Sequence, residues 1–131
     1  MAKKITIVKI RRSSGQNVNR ELQWLGNSLG LFNLRDKDSS CFRVFITLVR
    51  RAKNNKAVSS DEIAERLGLT RGTVVHHLSK LMDSGLVIRE SEGYFLRERD
   101  LATVIKDMRR DMEAMFAELQ EVAEEIDEKL S

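Results

Sequence analysis

Arg71, Thr73, Val75, His76, Ser79 and Lys80 stand close together, and no acidic residue occurs between Thr70 and Leu81. These side chains make no evident bond-breaking machinery. Their chemistry is donation of hydrogen bonds to anionic oxygens and base edges, with a small apolar contact from Val75. Between them fall Val74, Leu78 and Leu81, spaced four and three apart. On a helix that spacing puts the three apolar residues on one side. Arg71, Gly72, Val75, His76 and Ser79 then lie on the other side, with Thr73 and Lys80 on the flanks. A helix that enters the major groove of DNA needs this one-sidedness, because bulky acids on the outer face would repel phosphate.

Other reactive side chains are few. Cys41 is the only cysteine, so an intrachain disulfide is excluded. Its neighbours Phe42, Val44 and Phe45 predict a buried small hydrophobe. The only histidines, His76 and His77, are adjacent and point about 100° apart on a helix, so they cannot readily share one metal ion. His77 shares a face with Val74 and Leu81, which predicts a partly buried, hydrogen-bonded ring. No phosphate-binding loop, glycine-rich nucleotide fingerprint, HExxH or nucleophile motif occurs. An enzyme is not expected, and neither a cofactor nor a metal is called for.

The elements that must position these residues follow from periodicity and punctuation. Lys3 to Arg12 alternates isoleucines with basic residues and reads as a short basic strand or an ordered arm. Ser13-Ser14-Gly15-Gln16 is a break. Asn17 or Asn19 can cap a helix that runs to about Leu29 and stops at Gly30. Asp38 or Ser39 can cap the next helix, which is apolar over more than one face from Cys41 to Ala52 and therefore belongs deep in the core. Ser59 opens a third helix, with Glu62 placed to complete a capping box, and Gly68 ends it. A fourth helix spans about 70–83 and ends before Gly85. Leu86 to Glu90 and Tyr94 to Arg97 read as two strands of a hairpin around Ser91-Glu92-Gly93.

A short helix, the turn Gly68-Leu69-Thr70 and a second helix make a helix-turn-helix. The run from Ile63 through Leu81, followed by Asp83-Ser84-Gly85-Leu86-Val87, resembles the ArsR- and MarR-type winged-helix regulators of bacteria and archaea. The shared pattern is "IA..L", then "T...HL..L", then "GLV". The resemblance implies that Val74, Leu78 and Leu81 are core and that Arg71, Thr73, Val75, His76 and Lys80 face DNA. It also implies that Arg89 to Arg97 form the wing, so that Arg89 and Arg97 join Ser79 among the candidate DNA contacts. The wing tip Ser91-Glu92-Gly93 departs from the pattern in being short and acidic. Many ArsR-type proteins sense metals through cysteine pairs or through histidine and carboxylate ligands. One cysteine and no histidine beyond His77 leave this chain without that ligand supply.

From about Glu98 to Leu130 the pattern is one long helix. Leu101, Ile105, Met108, Met112, Met115, Leu119, Val122 and Ile126 alternate spacings of four and three, an unbroken heptad. A homodimeric coiled coil is the expectation; the alternative is a first half packed on its own chain and a second half that frays. The net charge of +3 divides unevenly, with +10 in residues 1–110 and −7 in residues 111–131. A basic body suits a polyanionic partner. The predicted architecture is mainly α. A basic strand or arm occupies 1–16, a winged helix-turn-helix domain 17–97 and a dimerisation helix 98–131. The predicted function is a cytoplasmic, homodimeric regulator that reads double-stranded DNA and has no membrane partner. A non-specific architectural protein and a winged-helix interaction adaptor remain as alternatives.

Overall fold

The computed structural model of the chain describes residues 4–12, 17–32 and 39–131. The expected break at Ser13 to Gln16 and the Asp38 cap lie outside the described residues. Among the described residues the order is α1 (Val18–Ser28), α2 (Ser40–Ala52), α3 (Ser60–Leu67), α4 (Arg71–Asp83), β1 (Val87–Glu90), β2 (Gly93–Leu96) and α5 (Leu101–Leu130).

α2 runs through the middle of the body, with Cys41, Val44, Phe45, Leu48 and Ala52 all buried. Around it close Leu31, Val58, Ile63, Val74, Leu78, Leu81, Leu86 and Val104. Gly26 of α1 makes room for the Phe32 ring: a Cβ there would stand 2.0 Å from a ring carbon. Phe32 in turn meets Phe42 and Phe45 edge-on, with centroids 5.3 and 6.3 Å apart.

Most helix starts follow from their capping side chains. Asn17 Oδ1 accepts the Asn19 N–H at 2.8 Å, and Ser59 Oγ accepts that of Glu62 at 3.1 Å. Two expectations are corrected. Ser39 adopts a left-handed backbone, φ 50° and ψ 36°, and its side chain makes no capping bond. An N-cap needs the extended region to turn its oxygen toward the first turn. The Glu62 carboxylate, expected to close a capping box, instead takes the guanidinium of Arg51 and ties the end of α2 to α3.

The N-terminal segment Lys4 to Arg12 is an ordered arm and forms no strand. Its backbone bonds go to carbonyls at helix ends, where no ladder can grow. Lys4 N–H donates to Asp83 at 3.1 Å and Val8 N–H to Ser28 at 2.7 Å. Trp24 Nε1 donates to the Ile10 carbonyl at 3.2 Å.

β1 and β2 pair antiparallel from Val87↔Leu96 to Glu90↔Gly93. Gly93 thus belongs to the strand, and the turn shortens to Ser91-Glu92. Val58, ahead of α3, adds a third rung by exchanging backbone bonds of 3.0 and 2.8 Å with Tyr94. This rung requires glycine at 93: its φ is +136°, and a Cβ would sit 2.7 Å from the Val58 carbonyl oxygen.

α5 starts at Leu101, where Asp100 Oδ1 accepts the Thr103 N–H at 2.7 Å. That backbone bond holds the Asp100 carboxyl below its ordinary pKa. The first turns rest on the body through Val104 and Met108, both buried. Arg97 fastens them to the wing, reaching Asp111 at 2.8 Å and Asp107 at 3.7 Å. The Asp111 hydrogen bond raises the pKa of the guanidinium further, and burial opposes it. Glu98, beside them, has its carboxyl pushed up chiefly by a hydrogen bond with Asp107.

Two stability predictions come from the wing. Gly93→Ala forces a side chain into the left half of φ space and against the Val58 backbone, and should destabilise the fold by about 1–3 kcal/mol. Arg97→Ala removes a partly buried charged hydrogen bond and should cost about 1–3 kcal/mol. Urea unfolding of both variants checks the values. Either variant unfolding at the wild-type midpoint would show that its contact does not hold the wing.

Candidate nucleic-acid interface

α3 and α4 are set by the turn between them. Gly68 ends α3 in the left-handed region at φ 67° and returns its N–H to the Ala64 carbonyl. Thr70 then caps α4, accepting the Thr73 N–H at 3.2 Å, while its hydroxyl donates to Thr73 Oγ1 at 2.8 Å. Arg43 of α2 donates to the Leu67 carbonyl and supports the end of α3 from below. With Val74, Leu78 and Leu81 fully buried, the opposite side of α4 has to face outward.

Arg71, Gly72, Val75, His76 and Ser79 are exposed along that side. Thr73 and Lys80 are half-buried on its flanks. Thr73 has its hydroxyl engaged by Thr70, so its first role is in the start of the helix. His77 is half-buried, and its Nε2 lies 2.7 Å from Ser40 Oγ at the start of α2, the hydrogen-bonded role its position predicts. His76 has its ring centroid 5.7 Å from that of His77 and faces outward.

Between the start of α4 and the wing lies a groove of about 390 Å³, lined by Arg71, Val75, Arg89 and Tyr94 among others. Arg89, exposed on β1, lays its guanidinium over Tyr94 at 5.6 Å from the ring centroid. The structure therefore brings Arg71, Val75 and Arg89 to one face. Arg97 is not among them. It is consumed by Asp107 and Asp111 on the α5 side of the wing, and the expectation that it contacts DNA is corrected on that ground. The partner that claims it, Asp111, lies fourteen residues on, beyond any local pattern.

Sequence reasoning missed Asp61. It lines the same groove and its Oδ1 stands 3.5 Å from Arg71 Nε, both side chains being mostly exposed. Such a pair is worth little in water and yields readily to a stronger anion. The signal was present in the first turn of α3, where acids favour the helix N-terminus, but only the fold turns that end toward Arg71.

The predicted dimer residues divide at the edge of the body. Met108 is 5% exposed and belongs to the core of the single chain, which corrects its place in a seam between chains. Leu101 and Met112 are half-buried, and Ile105 lies at the margin of exposure. Met115 is 41% and Leu119 62% exposed, and Val122 and Ile126 are exposed beyond them. Phe116, at 62%, and Leu130, at 81%, share this surface and fall outside the heptad. Val104, fully buried, holds the body-facing side that the heptad assigned elsewhere.

No helix among the described residues is long and apolar enough to cross a membrane. Residues 52–89, from the last residue of α2 into β1, match the family model described as bacterial regulatory protein, arsR family. No curated protein and no solved structure matches the chain. The matched segment contains the whole helix-turn-helix, with Gly68, Thr70, Val74 and Leu78 in the positions just described. It supports a DNA-binding transcription regulator, and the chain is accordingly an ArsR-like winged helix-turn-helix protein.

Proposed function

We propose that the chain is a cytoplasmic, sequence-specific regulator that binds double-stranded DNA as a homodimer, with α4 in the major groove. The observation that carries this reading is the division of α4. One side is buried without remainder, and the other offers Arg71, Val75, His76 and Ser79 with no acid among them. Arg71 at the helix start reaches base edges or phosphate once it leaves Asp61. Arg89 adds a cation from the wing, and Lys80 one from the flank. Residues 17–97 supply the DNA-binding unit and 98–131 the dimer element.

One helix-turn-helix makes few base contacts. Two held symmetrically read half-sites about one turn of DNA apart, roughly 34 Å. The exposed stripe of Met115, Leu119, Val122 and Ile126 supports the dimer, because a contiguous apolar face of that length is poorly tolerated in water.

Two experiments test the reading. DNA selected by the protein from a random pool is titrated in a mobility-shift assay against a scrambled sequence. Arg71→Ala should weaken selected binding by about 1–3 kcal/mol, roughly 5- to 150-fold. Equal binding to selected and scrambled DNA, with a steep salt dependence, would point instead to non-specific architecture. Sedimentation equilibrium should find wild type at twice the chain mass of 15.0 kDa and Met115→Asp at that mass. The body should stay folded, since Met115 lies outside the single-chain core. A dimer unaffected by Met115→Asp would remove the distal helix from the interface.

A further inference from the structure

Two surfaces of this chain lack a partner, and they complement each other. The first is a groove of about 350 Å³ formed by the N-terminal arm, α1 and the start of α5. Its walls are apolar, from Leu22, Trp24, Leu25 and Leu101, and Arg12 and Arg20 stand at its edge beside one acid, Glu21. Arg12 is fixed there: its guanidinium lies 5.8 Å from the Trp24 ring centroid, and Trp24 holds the arm through Ile10. The second surface is the distal half of α5. It carries Leu119, Val122, Ile126 and Leu130 exposed, and residues 111–131 have a net charge of −7.

The distal half cannot fill its own groove. α5 is one continuous helix of 30 residues, about 45 Å long, and its start forms a wall of the groove while its end points away. Only a second copy can bring the two surfaces together.

Resting on the homodimer reading, we infer that the two α5 helices run antiparallel, and that the acidic end of each docks in the arginine-edged groove of the other chain.

Helix length supports this. α5 leaves its body near Met115 and Phe116. Leu101 and Leu130 each lie about fifteen residues from that point, or roughly 22 Å along the axis. Antiparallel helices crossing there place Leu130 of one chain against the groove wall at Leu101 of the other. The same alignment sets Glu121 beside the exposed Arg109 and Arg110, and Glu124 and Glu125 beside Lys106. A parallel pair would instead lay two segments of −7 side by side. The width of the stripe agrees: Phe116 and Leu130 extend it beyond a two-helix seam, as contact with a further element, here α1, requires.

The test uses the full chain with Cys41→Ala, so that introduced thiols are the only ones, and a short bis-maleimide. Val18, exposed and lining the groove, is the reporter on one side, and Leu130 on the other. Leu130→Cys alone should not cross-link, whereas Leu130→Cys combined with Val18→Cys should yield covalent dimer. Strong cross-linking by Leu130→Cys alone shows a parallel pair and overturns the inference while the dimer stands. A dimer that cross-links in neither variant overturns it as well. A monomer in sedimentation overturns both readings together. Salt supplies an independent sign. Raising sodium chloride from about 0.05 to 0.5 M should weaken an antiparallel dimer held by opposite charges. It should tighten a parallel dimer, whose like charges it screens, and that result also overturns the inference.

Discussion

Everything outward-facing in this molecule depends on how completely α2 is enclosed. Val44, Phe45 and Leu48 leave no side of that helix to water, so each neighbouring element must bring an apolar face to it. α4 meets the requirement with Val74, Leu78 and Leu81. Rotating α4 by one residue, about 100°, would bury His76 or Arg71 without a partner, at a cost of several kcal/mol. The same burial that stabilises the fold thus fixes which residues α4 can present to a ligand. His77 sits where the two demands meet, half-buried and bonded to Ser40 at the start of α2.

The wing is held by a different kind of force. β1 and β2 are four residues each, and a two-stranded hairpin of that size is marginal by itself. Three tethers keep it in place. Tyr94 exchanges backbone bonds with Val58, Leu86 accepts from the Arg97 N–H at 2.8 Å, and the Arg97 side chain reaches across to α5. The wing therefore joins the helix-turn-helix to the long helix, and Arg97 serves that joint. Charge on a wing need not mean contact with nucleic acid.

Much of this was legible in the chain because it is local. Helix periodicity, the caps at Asn17, Ser59 and Thr70, and the stop at Gly68 all act within a turn or two. The helix-turn-helix and the core trio of α4 follow from them. What escaped depends on contacts distant in sequence. Arg97 has its partner on the next helix, Glu62 is drawn off by Arg51, and Ser39 is turned into a left-handed conformation that no propensity of serine foretells. The heptad of α5 is real as a pattern, yet a pattern does not say where the body ends. Met108 and Met115 are one heptad apart, the first in the core of the chain and the second in water. Asp61 was visible as a helix-capping acid, and only the packing of α3 on α4 makes it a neighbour of Arg71.

The charge asymmetry can now be divided by use. Some cations are internal fittings: Arg43 supports the end of α3, Arg51 holds Glu62, and Arg97 holds Asp107 and Asp111. Others, Arg71, Lys80 and Arg89, lie on or beside the outward side of α4. Arg12 and Arg20 border an apolar groove elsewhere on the body. A net charge of +10 over residues 1–110 therefore overstates what is free to attract a polyanion. The −7 of the distal helix acts in the opposite direction, since an acidic rod held near the DNA face would repel phosphate over about one Debye length, roughly 8–10 Å. A protein that binds DNA through α4 gains by keeping that rod elsewhere. Its own arginine-edged groove is a place where both the acids and the exposed leucines can be accommodated, and the acidic composition of the helix is then a consequence of where it must lie.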